Sequence, residues 1–221
     1  KFVTTNSMTA ASEVKLAYWA NGTDANQKPK SSTGSGVAAA FGEAAVSNTI
    51  APVKESIQVT GPKEITLTYD ATIVASDINS TNGKSQYTVK IGNTVETIVS
   101  ISILSSSKSV KFVTTNSMTA ASEVKLAYSA SGTDNQKPKS STGSGFAGDI
   151  TDQVVKNTIA PVEKSIEVTG TKQITLTYDA NILASNINTT NSKAQYSIKI
   201  DDGSPQNILS ISIVDKTVVF V

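Results

Sequence analysis

Short runs in which apolar and polar residues alternate strictly recur along the whole chain. In EITLTYDA, Ile65, Leu67 and Tyr69 alternate with Glu64, Thr66 and Thr68; in SEVKLAY, Val124, Leu126 and Tyr128 alternate with Glu123, Lys125 and Ala127. A period of two puts alternate side chains on opposite faces of an extended strand, so these runs read as half-buried antiparallel strands. Similar runs occupy residues 56–60, 86–91, 97–104 and 108–113, and a weaker one occupies 150–159. No stretch carries a convincing helical period. About seven such strands in about 110 residues predict an all-β, immunoglobulin-like antiparallel sandwich. Its expected core is Ile65, Leu67, Tyr69, Val89, Ile91, Ile101, Ile103, Phe112, Val124, Leu126 and Tyr128.

The pattern is duplicated. KFVTTNSMTAASEVKLAYWANGTD at Lys1–Asp24 returns as KFVTTNSMTAASEVKLAYSASGTD at Lys111–Asp134, with only Trp19/Ser129 and Asn21/Ser131 differing. NTIAPVKESIQVTGPKEITLTYDA from Asn48 returns as NTIAPVEKSIEVTGTKQITLTYDA from Asn157, and SISIL at Ser100 as SISIV at Ser210. A period near 110 residues is the size of one sandwich, far above a solenoid unit. Asn-Thr-Ile-Ala-Pro, at 48–52 and 157–161, sets a proline ahead of a strand and reads as the joint between units. The expected organisation is therefore the second half of a repeat at 1–52, a complete repeat at 53–160, and the first half of a following repeat at 161–221.

Half a sandwich leaves an apolar sheet face uncovered. The expected self-association residues are Phe2, Val14, Leu16 and Tyr18 in one half and Ile174, Leu176, Tyr178, Ile200 and Phe220 in the other. Each half is expected to be completed by a neighbouring copy of the repeat. That copy comes either from a longer covalent array or from the next subunit of a head-to-tail filament. The Ser/Gly/Lys stretch 129–145, repeated at 19–36 with KPKSSTGSG unchanged, is longer than a usual loop and is the preferred contact surface. Trp19, the single tryptophan, flanks that stretch as a candidate anchor.

Composition narrows the function. The 221 residues carry 19 basic and 18 acidic side chains, so no charged field points to nucleic acid or an anionic membrane. Every basic residue is lysine, which removes the bidentate phosphate fork of arginine. With no histidine and no cysteine, imidazole bases, thiolate nucleophiles, most zinc sites and disulfides are excluded. Neither the carboxylate pair of a glycosidase nor the base of a serine hydrolase is legible, and a non-enzyme is expected. No apolar run reaches the length of a transmembrane helix. A chain that begins at Lys1 reads as a processed form or a segment of something longer, and a secreted or cell-surface location is expected.

The arrangement resembles the SwmB-type repeat of bacterial surface proteins, an immunoglobulin-like or cadherin-like module found in tandem arrays. The residues that carry the resemblance are ESIQVTG and EITLTYDA in the first half of the repeat, SEVKLAY in the second, and the closing GFAGDITDQVVKNTIAP at 145–161. The resemblance implies an architecture more than an activity. One departure is KPKSSTGSG, which stands where the family is acidic and Asn-rich.

Few residues bear candidate chemistry. Asp70 and Asp77, seven positions apart after a strand, are weak metal candidates for calcium, with Asp179 the counterpart of Asp70; Asn186 replaces the second acid in the other copy. Asp149 with Asp152 and Asp201 with Asp202 are further acid pairs, the latter standing where the first copy has Gly92 and Asn93. Lys15, Lys90, Lys125 and Lys199 fall on polar strand faces, where no intramolecular isopeptide bond is expected. Sequons at Asn21, Asn79 and Asn188 leave glycan attachment open. Two functions follow as expectations. The first is a structural unit of an extracellular bacterial fibre, sheath, S-layer or adhesin stalk. The second is an adhesin module that binds carbohydrate or a receptor, aided by calcium. Near-identity of the copies favours the first, because a stalk needs equivalent units.

Overall fold

The computed structural model describes residues 3–24, 27–33, 36–104 and 108–221. The N-terminal segment holds β1 (Val14–Tyr18) and β2 (Phe41–Val46), an antiparallel pair with Val14 opposite Val46 and Tyr18 opposite Phe41.

The central segment runs through β3 (Lys54–Gly61), β4 (Glu64–Tyr69), β5 (Ile73–Val74), the single-turn helix α1 (Thr81–Ser85), β6 (Tyr87–Ile91), β7 (Thr94–Glu96), β8 (Ile98–Ile103) and β9 (Ser109–Thr114). It continues with β10 (Val124–Tyr128), β11 (Lys139–Ser140), β12 (Ile150–Val154) and β13 (Lys156–Asn157). One sheet has the order β13-β3-β4-β9-β8 and the other β12-β10-β6-β7, while β11 and β5 form a small ribbon. In β4, β9 and β10 every second residue is buried, as the alternation requires. The two inner faces share one core built from Ile57, Val59, Ile65, Leu67, Tyr69, Val89, Ile101, Phe112, Val124, Leu126 and Tyr128, among others. Ile91 and Ile103, also expected inside, are half-buried and pack on its rim. Burying each large aliphatic side chain contributes about 1.5–3 kcal/mol.

The expected seven strands understate the count, for local reasons. Residues 150–159 split into β12 and β13 because Val155 turns into the core, and β13 then runs parallel to β3, Lys156 opposite Gln58. A bulge at the β10–β12 pair sets Asp152 at a φ of 30° and lets its carboxylate meet Lys90 at 2.8 Å. The β6–β7 turn carries Gly92 at a φ of 60°. Its C-terminal counterpart uses Asp201 and Asp202, at 50° and 56°, so these paired acids occupy a tight turn that aspartate tolerates.

The C-terminal segment builds β14 (Glu163–Gly170), β15 (Gln173–Tyr178), the short helix α2 (Thr190–Lys193), β16 (Ile211–Val214) and β17 (Thr217–Phe220). These strands form one sheet of order β14-β15-β17-β16, the same order as β3-β4-β9-β8. The Asn79 side chain accepts the Ile101 amide proton at 2.8 Å, and Asn188 accepts that of Ile211 at the same distance. Two of the three sequon asparagines are thus used to tie the helical turn to a strand.

Candidate self-association surfaces

In the central segment β10 is the strand that closes the core. It pairs with β6 in a fixed register, Val124 with Ile91, Leu126 with Val89 and Tyr128 with Tyr87, and on its other side with β12. Tyr87 stacks on Tyr128 at 4.7 Å and meets the edge of Phe112 at 4.9 Å. Burial raises the phenols of Tyr69, Tyr87 and Tyr128 well above their ordinary value, and neighbouring tyrosines or Asp149 add to the effect.

β1 has the same five residues, VKLAY, but a different setting. It pairs only with β2, and Leu16 is 38% exposed where Leu126 is 0%. Phe41, Val46 and Trp19 are exposed beside it. Met8 is also exposed, whereas its counterpart Met118 is buried, its amide donating to the Pro62 carbonyl.

The C-terminal sheet shows the converse. Ile174, Leu176 and Tyr178 are half-buried where Ile65, Leu67 and Tyr69 are closed off. Ile166 is 63% and Val168 79% exposed, against 5% and 0% for Ile57 and Val59. Burial, then Tyr196 and Glu163, raises the Tyr178 phenol. An apolar groove of about 290 Å³ opens among Ile166, Ile174, Leu176, Tyr196, Ile198 and Phe220. Its lining residues are the counterparts of core residues of the central segment. Residues 196–200, which match β6, form only an isolated bridge between Ile198 and Gln206.

Among the expected association residues, Val14 and Tyr18 are half-buried, Leu16 and Ile200 are exposed, and Phe2 lies outside the described residues. Phe220 is already buried, its ring edge-on to Tyr196 at 4.8 Å, so it floors the groove. Ile166, Val168 and the nearly fully exposed Leu183 were not singled out from sequence. Ile57 and Val59, the counterparts of Ile166 and Val168, are buried, whereas Val74, the counterpart of Leu183, is itself 40% exposed.

The two Asn-Thr-Ile-Ala-Pro segments, the expected joints, carry a second constellation. Asn48 Nδ2 donates to the carbonyls of Thr9 at 2.8 Å, Ala10 at 3.4 Å and Ser12 at 3.0 Å, while its Oδ1 accepts from Ile50 N at 3.0 Å. Asn157 repeats the clamp on Thr119, Ala120, Ser122 and Ile159, at 2.8, 3.4, 3.1 and 3.0 Å. At the first joint the loop 137–145 lies on this clamp. Ser140 Oγ and Thr142 Oγ1 both donate to Ala10 O, and Ser144 N donates to Asn48 O at 2.8 Å. A Cβ at Gly143 or Gly145 would collide with the Asn48 or Ile50 carbonyl, which explains these two glycines. The long loop, expected as a contact surface, makes a contact here within the chain.

The metal candidates have structural partners. Asp70 Oδ1 accepts from Val53 N and Asp179 Oδ1 from Val162 N, each at 2.8 Å, which pins the strand that follows each joint. The Asp77 carbonyl accepts from Ser80 in the turn before α1. Among the described residues, no three His, Cys, Asp or Glu side chains converge as a metal site. Lys15, Lys90 and Lys125 form ion pairs with Glu43, Asp152 and Glu123 at their strand faces.

No curated protein matches the chain. Three solved chains of the bacterial S-layer protein SbsC are similar. The crystal structure of its N-terminal part is 12% identical, with a TM-score of 0.39, covering 57% of this chain and 31% of that one. The crystal structure of rSbsC(31-844) is 13% identical with a TM-score of 0.38, covering 74% and 20%. The structure of domains 1-6 is 12% identical with a TM-score of 0.40, covering 71% and 19%. The chain thus spans less than a third of each. A sequence-family model described as "Putative flagellar system-associated repeat" matches residues 47–133 and again 156–221. Both matches begin at the Asn-Thr-Ile-Ala-Pro joint, and together they take in more than half of the chain. The chain belongs to this repeat family.

Proposed function

We propose that this chain is structural material of an extracellular bacterial array, a sheath, surface layer or stalk, and that it has no catalytic role. In this reading 53–160 is one complete immunoglobulin-like repeat, while 1–52 and 161–221 are complementary halves. The halves are joined between chains by strand complementation, head to tail.

The observation that carries the reading is the double life of VKLAY. At 124–128 it closes a core against residues 87–91; at 14–18 it is left open, and the C-terminal sheet retains a groove lined by the counterparts of that core. Setting β1 of one chain on residues 196–200 of another in the β10 register puts Val14 opposite Ile200, Leu16 opposite Ile198 and Tyr18 opposite Tyr196. Backbone ladder and apolar burial then act together. Because the two surfaces differ, the contact is heterologous and propagates. The absence of histidine and cysteine and the membership in a repeat family support a structural role.

The test is light scattering and electron microscopy of the 221-residue chain. Linear polymers that lengthen with concentration are expected. A compact monomer whose two halves pair with each other would overturn the reading.

A further inference from the structure

The complementation just proposed concerns strands. The joints reveal a second pair of unmatched surfaces, and it selects the same occupant. At the first joint, loop 137–145 covers the Asn48 clamp, and Ala10, Asn48 and Ser140 are all buried there. At the second joint the clamp is built from the same residues with nearly the same distances, yet Ala120 and Asn157 remain half-exposed. The turn beneath is also the same: Ser12 N donates to Thr9 O, and Ser122 N to Thr119 O, each at 3.0 Å.

The missing cover is present elsewhere in the chain. Residues 28–36 repeat KPKSSTGSG, and their described part already has the docked shape. Thr33 N donates to Ser31 Oγ at 3.3 Å, as Thr142 N does to Ser140 Oγ. The paired hydroxyls lie 3.1 Å apart in one loop and 3.0 Å in the other. Ala38 N donates to Pro29 O at 2.7 Å, and Ala147 N to Pro138 O at 2.8 Å. Lys30 bridges Val37 as Lys139 bridges Phe146. Ser31 and Thr33 are nonetheless exposed, whereas Ser140 is buried.

From this we infer that the second joint is a docking site for residues 28–33 of a second copy of the chain, with Ser31 and Thr33 donating to the Ala120 carbonyl beside Asn157. The same loop continues the ribbon seen at β11–β5, bringing Lys30 and Ser31 beside Leu183 and Ile182, where Leu183 is 96% exposed. The hydrogen bonds of Ser31, Thr33 and Ala38 and those of Asn157 are in place before the partners meet, so little ordering cost remains for these residues at association. The latch acts at the joint between units and not within a sheet. It therefore fixes the angle between successive repeats and rejects a partner whose strand fits but whose loop does not. This inference rests on the complementation reading, because the incoming copy is the one that supplies β1.

The chain lacks cysteine, so introduced cysteines report on it cleanly. The 221-residue chain is prepared as two separate variants, Thr33→Cys and Ala120→Cys, which are mixed and treated with a short bismaleimide. Ala17→Cys with Ser197→Cys reports the strand register between chains. Ala10→Cys with Thr142→Cys in one chain reports the docked latch at the first joint. Dimers cross-linked through 33 and 120, together with dimers through 17 and 197, are expected. Dimers through 17 and 197 without those through 33 and 120 would overturn the latch and leave complementation standing. Failure of both would overturn both, and dimers through 33 and 120 alone would keep the latch and remove the strand register. A second variant avoids any effect of cysteine on folding. Ser31→Ala with Thr33→Val removes two exposed hydroxyls and is expected to weaken self-association about tenfold with unfolding of the free chain little changed. Unchanged self-association would contradict the latch.

Discussion

The pentapeptide VKLAY occurs at 14–18 and 124–128, and the two sites form an internal control. Both copies become strands of the same length, each paired with a later strand, β2 or β12, so the strand itself does not require β6 beside it. Only the second has β6 beside it and the β3–β4–β9–β8 sheet above it, and only there is its leucine closed off from water. The β14–β15–β17–β16 sheet makes the same point from the other side. It keeps the strand order of the central sheet without the strand that covers it, and its Ile166 and Val168 face solvent. Alternation therefore decides which face of a strand is apolar, while burial depends on which sheet lies opposite.

The largest effect should come from the leucines of the two pentapeptides. Leu126→Ala removes a fully buried side chain and is expected to cost about 2–5 kcal/mol in denaturant unfolding of the central segment. Leu16→Ala in dilute, unassociated chain should leave that transition almost unmoved; equal costs would mean that β1 is already covered. The joints come next. Asn157→Ala releases the turn at Thr119–Ser122 from β13 within the central segment and should cost about 1–3 kcal/mol of its stability. Asn48→Ala should instead speed hydrogen exchange at the Ile50 amide without moving the central transition.

A smaller effect separates the two regions by pH. The phenols of Tyr69, Tyr87 and Tyr128 are raised by burial, so above about pH 10 the unfolded chain loses protons that the folded chain retains. Stability of the central segment is therefore complete below that pH and falls as pH rises further. Tyr69→Phe should flatten this alkaline limb in thermal unfolding curves taken across the range. The smallest effect concerns calcium. Asp70 and Asp179 each spend an oxygen on a backbone amide, so melting with calcium and with chelator should give the same midpoint. A rise with calcium would restore those aspartates as ligands.

Much of this architecture was legible because it is written twice. Strand phase followed from Ile65, Leu67 and Tyr69. The exposed faces followed in outline from Leu16 and Ile200. What escaped depends on tertiary partners. Nothing local marks Asn48 as a four-bond clamp, since its value lies in carbonyls about forty positions away. The split at Val155 and the bulge at Asp152 arise from fitting β12 to β10, not from propensity. Phe220 reads as an exposed strand end, yet Tyr196 covers it.

The central claim is that the open strand of one chain covers the open sheet of another. Hydrogen exchange of the 221-residue chain, measured from dilute to concentrated solution, tests it most directly, because backbone amides slow when a ladder forms on them. The account predicts that amides of residues 14–18 and 196–200 become protected together as concentration rises, while those of 124–128 stay equally slow throughout. Exchange at 14–18 and 196–200 that does not change with concentration would contradict it.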